Sequence, residues 1–391
     1  MPIGLIMILV GCQLASRHSN AGQEEPDGVA AVPTVADLVV EAAPSPIPTV
    51  VIATLEPATP TPTTVPTETL PPTLTPLPTA TPQPTAVPTE PHPLMIEVMR
   101  SQTYPGSEIT FIETLSAGAN HSRYIVSYQS EGLAIRAYLT VPFGEPPAGG
   151  WPIIIFNHGF IPPEQYRTAQ NYVNYVAPFA SAGYIVLTSD FRGHGSSEGE
   201  AIIAYRDPGY TVDVLNGIAA AKTLPGASQE RIGMYGHSMG GWLTLRSMVI
   251  SDEIKAGVIW GGVVVSYQDL FELWRPGGTN NADPDEERGP QRLLREWEEE
   301  YGPLEANQPF WDAISANSYV ADLSGPLQLH HATTDEVVPF VFSEILQAEA
   351  ESAGTSSELF AYEGDNHNIS ANFWTAMNRS IAFFDSILKA P

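Results

Sequence analysis

The stretch that decides the fold is Arg231-Ile232-Gly233-Met234-Tyr235-Gly236-His237-Ser238-Met239-Gly240-Gly241. Its first five residues include an apolar segment that predicts a strand, and the run from Trp242 to Val249 predicts a helix. Between them lies the pattern Gly-x-Ser-x-Gly, centred on Ser238. A serine at such a strand-to-helix turn takes a strained backbone conformation that exposes its hydroxyl above the sheet. We therefore predict that Ser238 is a nucleophile.

The neighbours of Ser238 support this interpretation. Side chains at positions 236 and 240 would collide with the adjacent strand and helix, so the turn requires glycine there. The helix that begins beside Ser238 also directs backbone N–H groups toward negative charge that develops on a substrate oxygen.

Composition limits the classes of partner. The chain has 391 residues with 17 basic and 44 acidic side chains, a formal net charge of −27. Such a surface repels nucleic-acid phosphates and anionic lipid headgroups, so we expect no nucleic-acid partner. The single cysteine, Cys12, excludes an intramolecular disulfide and a cysteine-based metal cluster. We expect neither a metal nor an organic cofactor.

The N-terminus has the features of an export signal. Residues 2–11 are apolar but too few for a transmembrane helix, which needs about 20 residues. The run Leu9-Val10-Gly11-Cys12 resembles the lipobox of bacterial lipoproteins. We expect residues 1–12 to be a lipoprotein-type signal peptide, with Cys12 lipidated and the protein held at a bacterial cell membrane outside the cytoplasm. The alternative is an ordinary secretion signal with an incidental cysteine.

Residues 13–93 predict a disordered tether. Between Pro44 and Pro93 there are 16 prolines and 14 threonines. Proline fixes φ and lacks a backbone donor, so this segment favours an extended, polyproline-like spacer. It also lacks the apolar residues that would offset the entropy of ordering.

Residues 94–391 predict one α/β domain. Two β-rich segments, 109–115 and 122–141, indicate antiparallel strands at a sheet edge. The following short apolar runs predict strands buried on both faces, and they alternate with helical patterns, which predicts a mostly parallel sheet covered by helices. The predicted strands are 152–157, 184–188, 231–235, 256–260, 327–330 and 359–362, and the predicted helices are 168–182, 211–224, 242–249 and 373–388.

A serine nucleophile needs a histidine base that is held by a carboxylate. In folds built around this turn the chain order is serine, acid, histidine. The histidines after Ser238 are His330, His331 and His367. His367 lies in a polar loop between the last strand and the last helix, where the base belongs. His330 and His331 end a buried strand, which favours a packing or loop role.

The acid should follow the preceding strand. Asp335 lies in the loop just beyond that strand, and its short side chain can reach a ring nitrogen. Glu336 is the adjacent alternative, and Asp322 and Asp312 are more remote ones. We predict that Asp335 is the acid.

The loop Asn157-His158-Gly159-Phe160 follows a buried strand, and Gly159 lets its backbone approach a substrate. We predict that the N–H groups of Phe160 and Met239 form an oxyanion hole. The loss of one such donor typically costs about 3 kcal/mol of transition-state stabilisation. We expect His158 to be structural, hydrogen-bonded within this loop.

Taken together, five motifs resemble those of an α/β-hydrolase, most closely the catalytic domain of the prolyl oligopeptidase and acylaminoacyl-peptidase family and its dienelactone-hydrolase-like esterase relatives. The motifs are Asn157-His158-Gly159-Phe160, Asp190-Phe191-Arg192-Gly193-His194-Gly195-Ser196-Ser197, Gly236-His237-Ser238-Met239-Gly240-Gly241, Asp335-Glu336-Val337-Val338-Pro339 and Gly364-Asp365-Asn366-His367. The resemblance implies an α/β-hydrolase fold with a mostly parallel twisted sheet, helices on both faces and a helical lid insertion, about residues 262–320.

The resemblance also implies a serine hydrolase that cleaves acyl bonds. Prolyl oligopeptidases carry an N-terminal propeller that gates access, whereas here a short segment separates the tether from the first strands, which favours carboxylic esters as substrates. A dipeptidyl or acylaminoacyl peptidase is the alternative, and a non-catalytic cell-surface binding module is the second. Tryptophans at 260, 274, 297 and 311 lie at or within the insertion. They either line an acyl or aryl pocket or attach the insertion to the core.

Overall fold

The computed structural model describes residues 91–274 and 289–389. The predicted signal peptide, Cys12 and almost all of the predicted tether lie outside the described residues, so these assignments stay predictions. No helix in the described part of the chain combines the length and apolarity needed to cross a membrane.

The described strands form one mostly parallel sheet, which confirms the predicted fold class. The strands are β1 (Thr110–Leu115), β2 (His121–Ser130), β3 (Leu133–Pro142), β4 (Trp151–Asn157), β5 (Ile185–Ser189), β6 (Ala227–His237), β7 (Ile254–Trp260), β8 (Leu327–Ala332) and β9 (Ser357–Tyr362). Their order in the sheet is β1-β2-β3-β5-β4-β6-β7-β8-β9. The pairs β1–β2, β2–β3 and β3–β5 are antiparallel. The remaining pairs are parallel.

Helices follow most of the strands. They are α1 (Ile96–Arg100), α2 (Val173–Ser181), α3 (Gly209–Lys222), α4 (Met239–Ile250), α5 (Tyr267–Leu273), α6 (Gly289–Tyr301), α7 (Gln308–Ile314), α8 (Val341–Ala353) and α9 (Phe373–Leu388), with a 3₁₀ helix at Ala316–Asp322. Buried side chains of α2 and α9 share one core cluster with the sheet. Those of α3, α4 and α8 share the other. Helices therefore cover both faces of the sheet.

The central strands are buried as their apolar runs predict. In β4 every residue after Trp151 is buried, and all five residues of β5 are buried. A fully buried isoleucine such as Ile154 contributes about 1.5–3 kcal/mol of hydrophobic stabilisation. Because β4 to β9 run parallel to one another, their carboxyl ends meet at one side of the sheet. The loops that carry the chemistry leave from that side.

Predicted boundaries differ from the observed ones by up to five residues, and the largest difference is at the start of one helix. The helix predicted from residue 168 begins at Val173. Ala169 and Tyr172 have φ values of +59° and +58°, which a right-handed helix cannot contain. The conformation of Tyr172 is set by contacts distant in sequence, which a local pattern does not report.

A buried arginine ties two other segments to the helix that follows Ser238. Arg246 of α4 has no exposed surface. Its guanidinium donates to the carbonyl oxygens of Leu94 (2.7 Å) and Ile314 (2.6 Å), which are the start of the folded domain and the end of α7. The carbonyl of Ile314 lies at a helix C-terminus, where a positive charge is favoured. Arg246 thus attaches the domain's N-terminal segment and its helical insertion to α4.

The described parts of the insertion between β7 and β8, residues 261–274 and 289–326, are mainly helical, as predicted, and two tryptophans attach them to the core. Trp297 and Trp311 are each 1% exposed and belong to the core cluster that α3, α4 and α8 share with the sheet, and their own rings stack with centroids 5.8 Å apart. Trp260 is buried in β7 and donates to the Ser380 hydroxyl of α9 (3.0 Å). Trp274 donates its indole N–H to the carbonyl of Val337 (3.0 Å), in the loop that carries Asp335. These contacts support the attachment role, and they link the insertion to the predicted site.

Candidate active site

Ser238 lies at a sharp turn between β6 and α4. Its φ and ψ are +57° and −121°, a conformation that residues with a Cβ rarely adopt. Hydrogen bonds hold the turn from both sides, because the Ser238 N–H donates to the Trp260 carbonyl (3.0 Å), while its own carbonyl accepts from Gly241 (2.9 Å) and Val263 (3.2 Å). The strained backbone is therefore fixed by its neighbours.

The glycines beside Ser238 are sterically required. A Cβ on Gly236 would lie 2.2 Å from the Gly240 carbonyl oxygen, and one on Gly240 would lie 2.0 Å from the Asn157 carbonyl oxygen. Both obstacles are backbone atoms, which cannot move aside as a side chain can. The predicted collision is confirmed, and it shows how closely β4, β6 and α4 approach each other at this turn.

His367 and Asp335 are brought together from two loops at the same edge of the sheet. The Nδ1 atom of His367 lies 2.7 Å from Oδ2 of Asp335. The His367 ring centroid is 4.7 Å from that of His237, the residue directly before Ser238. A Cβ on Gly261, which follows the Trp260 that binds the Ser238 N–H, would lie 3.1 Å from His367 Nδ1. All three predicted residues therefore lie at one place in the fold.

The Asp335 carboxylate is buried and fully hydrogen-bonded. Its Oδ1 accepts from the backbone N–H groups of Val337 (2.8 Å) and Val338 (2.9 Å). Its Oδ2 is also 3.1 Å from Nε2 of His331. Burial opposes ionisation of this carboxylate, but the hydrogen bonds from His331 and His367 outweigh burial and lower the pKa of Asp335 below its ordinary value. A carboxylate held in this way stays ionised at neutral pH.

The rival acids are placed differently. Glu336 accepts the backbone N–H of His367 (3.1 Å) rather than a ring N–H. Asp322 is 55% exposed and pairs with Arg100, and Asp312 accepts from Gln308 on the surface of α7. Among the predicted candidates, Asp335 is the one that contacts the imidazole of His367.

The predicted oxyanion donors lie on the two sides of Ser238. Met239 is the first residue of α4, so its N–H has no acceptor within the helix. A Cβ on Gly159 would lie 3.1 Å from Ser238 Cβ, which shows that the loop carrying Phe160 passes directly beside the serine. The Gly159 N–H itself donates to the Tyr172 hydroxyl (3.0 Å). The structure gives the Phe160 N–H no acceptor among the described residues. Its oxyanion role stays a prediction.

The remaining histidines have structural contacts. His158 donates to the Gly159 carbonyl (2.7 Å), as predicted, and burial lowers its pKa to about 3, so it is neutral. His330 lies between the Tyr362 hydroxyl and the Gln328 side chain. His331, by contrast, contacts Asp335, a role that was not predicted from the sequence. The four-residue spacing across a strand end was the available signal.

Two further residues were missed. His237 is the variable position of the Gly-x-Ser-x-Gly pattern, and its ring contacts both the Tyr172 hydroxyl and the His367 carbonyl. Tyr172 comes from the segment before α2 and has no recognisable motif. In the described part of the chain, no group of three or more His, Cys, Asp and Glu side chains is arranged to hold a metal ion.

Comparison with known proteins gives one family and one fold. The sequence pattern of the prolyl oligopeptidase family matches residues 170–391, more than half of the chain. An uncharacterized peptidase of Bacillus subtilis (strain 168), YtmA, is 27% identical over 177 residues, which are 42% of this chain and 63% of that protein. The matched region therefore spans less than two thirds of this relative.

Two solved structures share the fold. Acylaminoacyl peptidase from Pyrococcus horikoshii matches with a TM-score of 0.56 and 21% identity, over 70% of this chain and 43% of that chain. Acetyl xylan esterase from Paenibacillus sp. R4 matches with a TM-score of 0.55 and 18% identity, over 74% of this chain and 92% of that chain. At these identities the likeness establishes the α/β-hydrolase fold alone.

Proposed function

The chain belongs to the prolyl oligopeptidase family and is a serine hydrolase, and from that premise we propose that it hydrolyses carboxylic esters. Ser238 attacks the acyl carbon while Nε2 of His367 removes the proton of its hydroxyl. Asp335 accepts the Nδ1–H of His367 (2.7 Å) and stabilises the imidazolium. The N–H groups of Phe160 and Met239 hold the oxyanion. His367 then protonates the departing alkoxide, and water releases the acyl group from Ser238 by the same route.

The observation that carries the acyl-transfer chemistry is the contact between His367 and Asp335 at the nucleophile turn. The imidazole is oriented by a buried carboxylate that is ionised, and its ring lies 4.7 Å from that of His237, next to Ser238. In general acid–base catalysis a hydrogen-bonded carboxylate fixes the histidine tautomer that can accept the serine proton.

The choice of esters rests on the extent of the matches. The esterase is covered over 92% of its length, whereas the acylaminoacyl peptidase is covered over 43%. In the described residues, the segment before β1 contains a single five-residue helix, α1. Amide hydrolysis is the second candidate function, because the family and the Bacillus relative are named for peptidases.

The test compares matched p-nitrophenyl acyl esters with aminoacyl p-nitroanilides on the full-length protein. We expect ester turnover to be well above anilide turnover, and a fluorophosphonate probe to label Ser238, because only an activated serine reacts with it. Anilide turnover at comparable efficiency would move the assignment to a peptidase. Absence of both turnover and labelling would contradict the proposed site.

We also propose that the enzyme acts outside the cytoplasm, tethered through lipid on Cys12. The apolar run before Cys12 and the proline-rich segment after it support this arrangement. In bacterial cells the wild-type chain should incorporate a fatty-acid probe and fractionate with membranes. The Cys12→Ser variant should do neither, because its side chain cannot form the thioether. A wild-type chain that takes up no fatty acid would refute the lipid anchor.

A further inference from the structure

Three loops of the site meet at the ring of His237. This residue is 2% exposed and lies between Gly236 and Ser238. Its Nδ1 is 2.7 Å from the Tyr172 hydroxyl oxygen, and its Nε2 is 3.2 Å from the carbonyl oxygen of His367. The Tyr172 hydroxyl in turn accepts the N–H of Gly159 (3.0 Å). The contacts therefore run from the loop after β4, through the nucleophile turn, to the loop after β9.

Each of these three hydrogen bonds has one possible direction from donor to acceptor. A carbonyl oxygen only accepts, so Nε2 of His237 carries the hydrogen that faces His367. Burial, and after it the repulsion between a charged His237 ring and the imidazolium form of His367, lower the pKa of His237 to about 3, so the ring is neutral at pH 7 and its Nδ1 has a bare lone pair. The Tyr172 hydroxyl must then donate to Nδ1, which leaves its oxygen to accept the Gly159 N–H.

The backbone of Tyr172 is strained to make this contact. Its φ is +58°, which is uncommon for a bulky aromatic residue. The ring is held in place by Tyr175, whose ring centroid is 5.2 Å away. Strained residues persist where the surrounding structure fixes them, and they cluster at functional sites.

The Tyr172 hydroxyl also lies beside Gly159, the residue whose backbone passes next to Ser238. A Cβ on Gly159 would be 2.6 Å from the hydroxyl oxygen and 3.1 Å from Ser238 Cβ. Since this hydroxyl accepts the Gly159 N–H, that amide already has an acceptor and is not free to bind an oxyanion. The next amide, that of Phe160, is then the one that the loop can present to an oxyanion.

We propose that Tyr172 and His237 are positioning residues that fix the positions, relative to Ser238, of two loops: the loop after β4, which carries Phe160, and the loop after β9, which carries His367. The inference rests on the proposed function, because it assigns them a role only through Ser238, His367 and Phe160. Neither side chain takes or gives a proton in the reaction. Their effect is geometric, and small displacements of reacting groups lower the rate of the chemical step more than they weaken substrate binding.

The test is Tyr172→Phe in the full-length protein, with Tyr175→Phe as a matched control. The Tyr175 ring also lies beside His237, with centroids 5.7 Å apart, and its hydroxyl contacts the side-chain oxygen (3.3 Å) and the carbonyl oxygen (3.4 Å) of Asn368, in the loop of His367. We expect Tyr172→Phe to lower kcat for a p-nitrophenyl ester by about 10- to 100-fold with little change in KM, since misplacement of about 1 Å has effects of that size. Tyr175→Phe should keep kcat within about threefold, since it leaves the hydrogen bonds that link Gly159, Tyr172, His237 and His367 intact.

A double-mutant cycle separates positioning from general packing. His237→Gln retains an acceptor for Tyr172 and a donor for His367, and should keep most of the activity. In His237→Leu the hydrogen bonds between Tyr172, residue 237 and His367 are already lost, so adding Tyr172→Phe should lower kcat little further. The proposal is overturned if Tyr172→Phe keeps wild-type kcat, if Tyr175→Phe loses as much, or if the two losses are additive.

Labelling with a fluorophosphonate probe distinguishes this proposal from the proposed function. If the wild-type protein hydrolyses no ester but Ser238 is labelled, the ester assignment fails, and a slower labelling rate in Tyr172→Phe still supports positioning. If Ser238 is not labelled in the wild-type protein, both proposals fall. A Tyr172→Phe protein that is labelled as fast as the wild type overturns positioning alone.

Discussion

Replacing Ser238 with alanine is expected to lower kcat for ester hydrolysis by about 10⁴- to 10⁶-fold. The variant lacks the only hydroxyl at the tip of the turn, whereas the backbone donors and the imidazole of His367 stay in place. Its residual rate over water comes from those donors and from substrate binding. The measurement is single-turnover and steady-state hydrolysis of a p-nitrophenyl ester by the full-length variant.

Ser247→Ala is the matched control. Ser247 lies on the same helix, α4, is fully buried, and its hydroxyl has no hydrogen-bond partner in the described part of the chain. It should keep wild-type activity and stability. Both variants should unfold at nearly the same temperature as the wild type, because neither change removes a paired group from the core. A Ser238→Ala protein that hydrolyses esters at more than a small fraction of the wild-type rate would contradict the proposed nucleophile.

The fold could be predicted largely because the signals that specify it are local. Runs such as Ile153-Ile154-Ile155 are apolar throughout, which is typical of a strand covered on both faces, and the structure buries them. The nucleophile turn is equally local, because the collisions at Gly236 and Gly240 involve backbone atoms that the pattern itself brings together. Chain order then placed Asp335 and His367, and the structure brings their side chains to 2.7 Å.

The parts that could not be predicted depend on contacts distant in sequence. Tyr172 adopts a positive φ and reaches His237, 65 positions along the chain, so no local pattern could report either its conformation or the start of α2. The same holds for Arg246, whose partners Leu94 and Ile314 lie far from it in sequence. The packing or loop role predicted for His331 left out its contact with Asp335, because a four-residue spacing across a strand end shows that the two residues are near each other but not which atoms face each other.

The second large effect concerns Asp335. Replacing it with asparagine is expected to lower kcat by about 10⁴-fold, with the fold intact. The asparagine carbonyl can still accept the N–H groups of Val337 and Val338, as Oδ1 of Asp335 does now. Its amide NH₂ then occupies the place of Oδ2, where the ring N–H of His367 points. Two donors cannot face each other, so the imidazole adopts the other tautomer, and its Nε2 can no longer accept the serine proton.

Glu336→Gln is the control for this variant, because Glu336 was the adjacent candidate acid. Its carboxylate accepts the backbone N–H of His367 (3.1 Å), and a glutamine carbonyl can accept the same bond. The expected loss is within about tenfold, the worth of one weakened hydrogen bond. Steady-state kinetics with one ester on both full-length variants compares the two carboxylates directly. The reverse order of effects would assign the acid to Glu336. Equal effects would mean that the loop position of His367 matters as much as its tautomer, because Glu336 acts on the backbone of that loop while Asp335 acts on the ring.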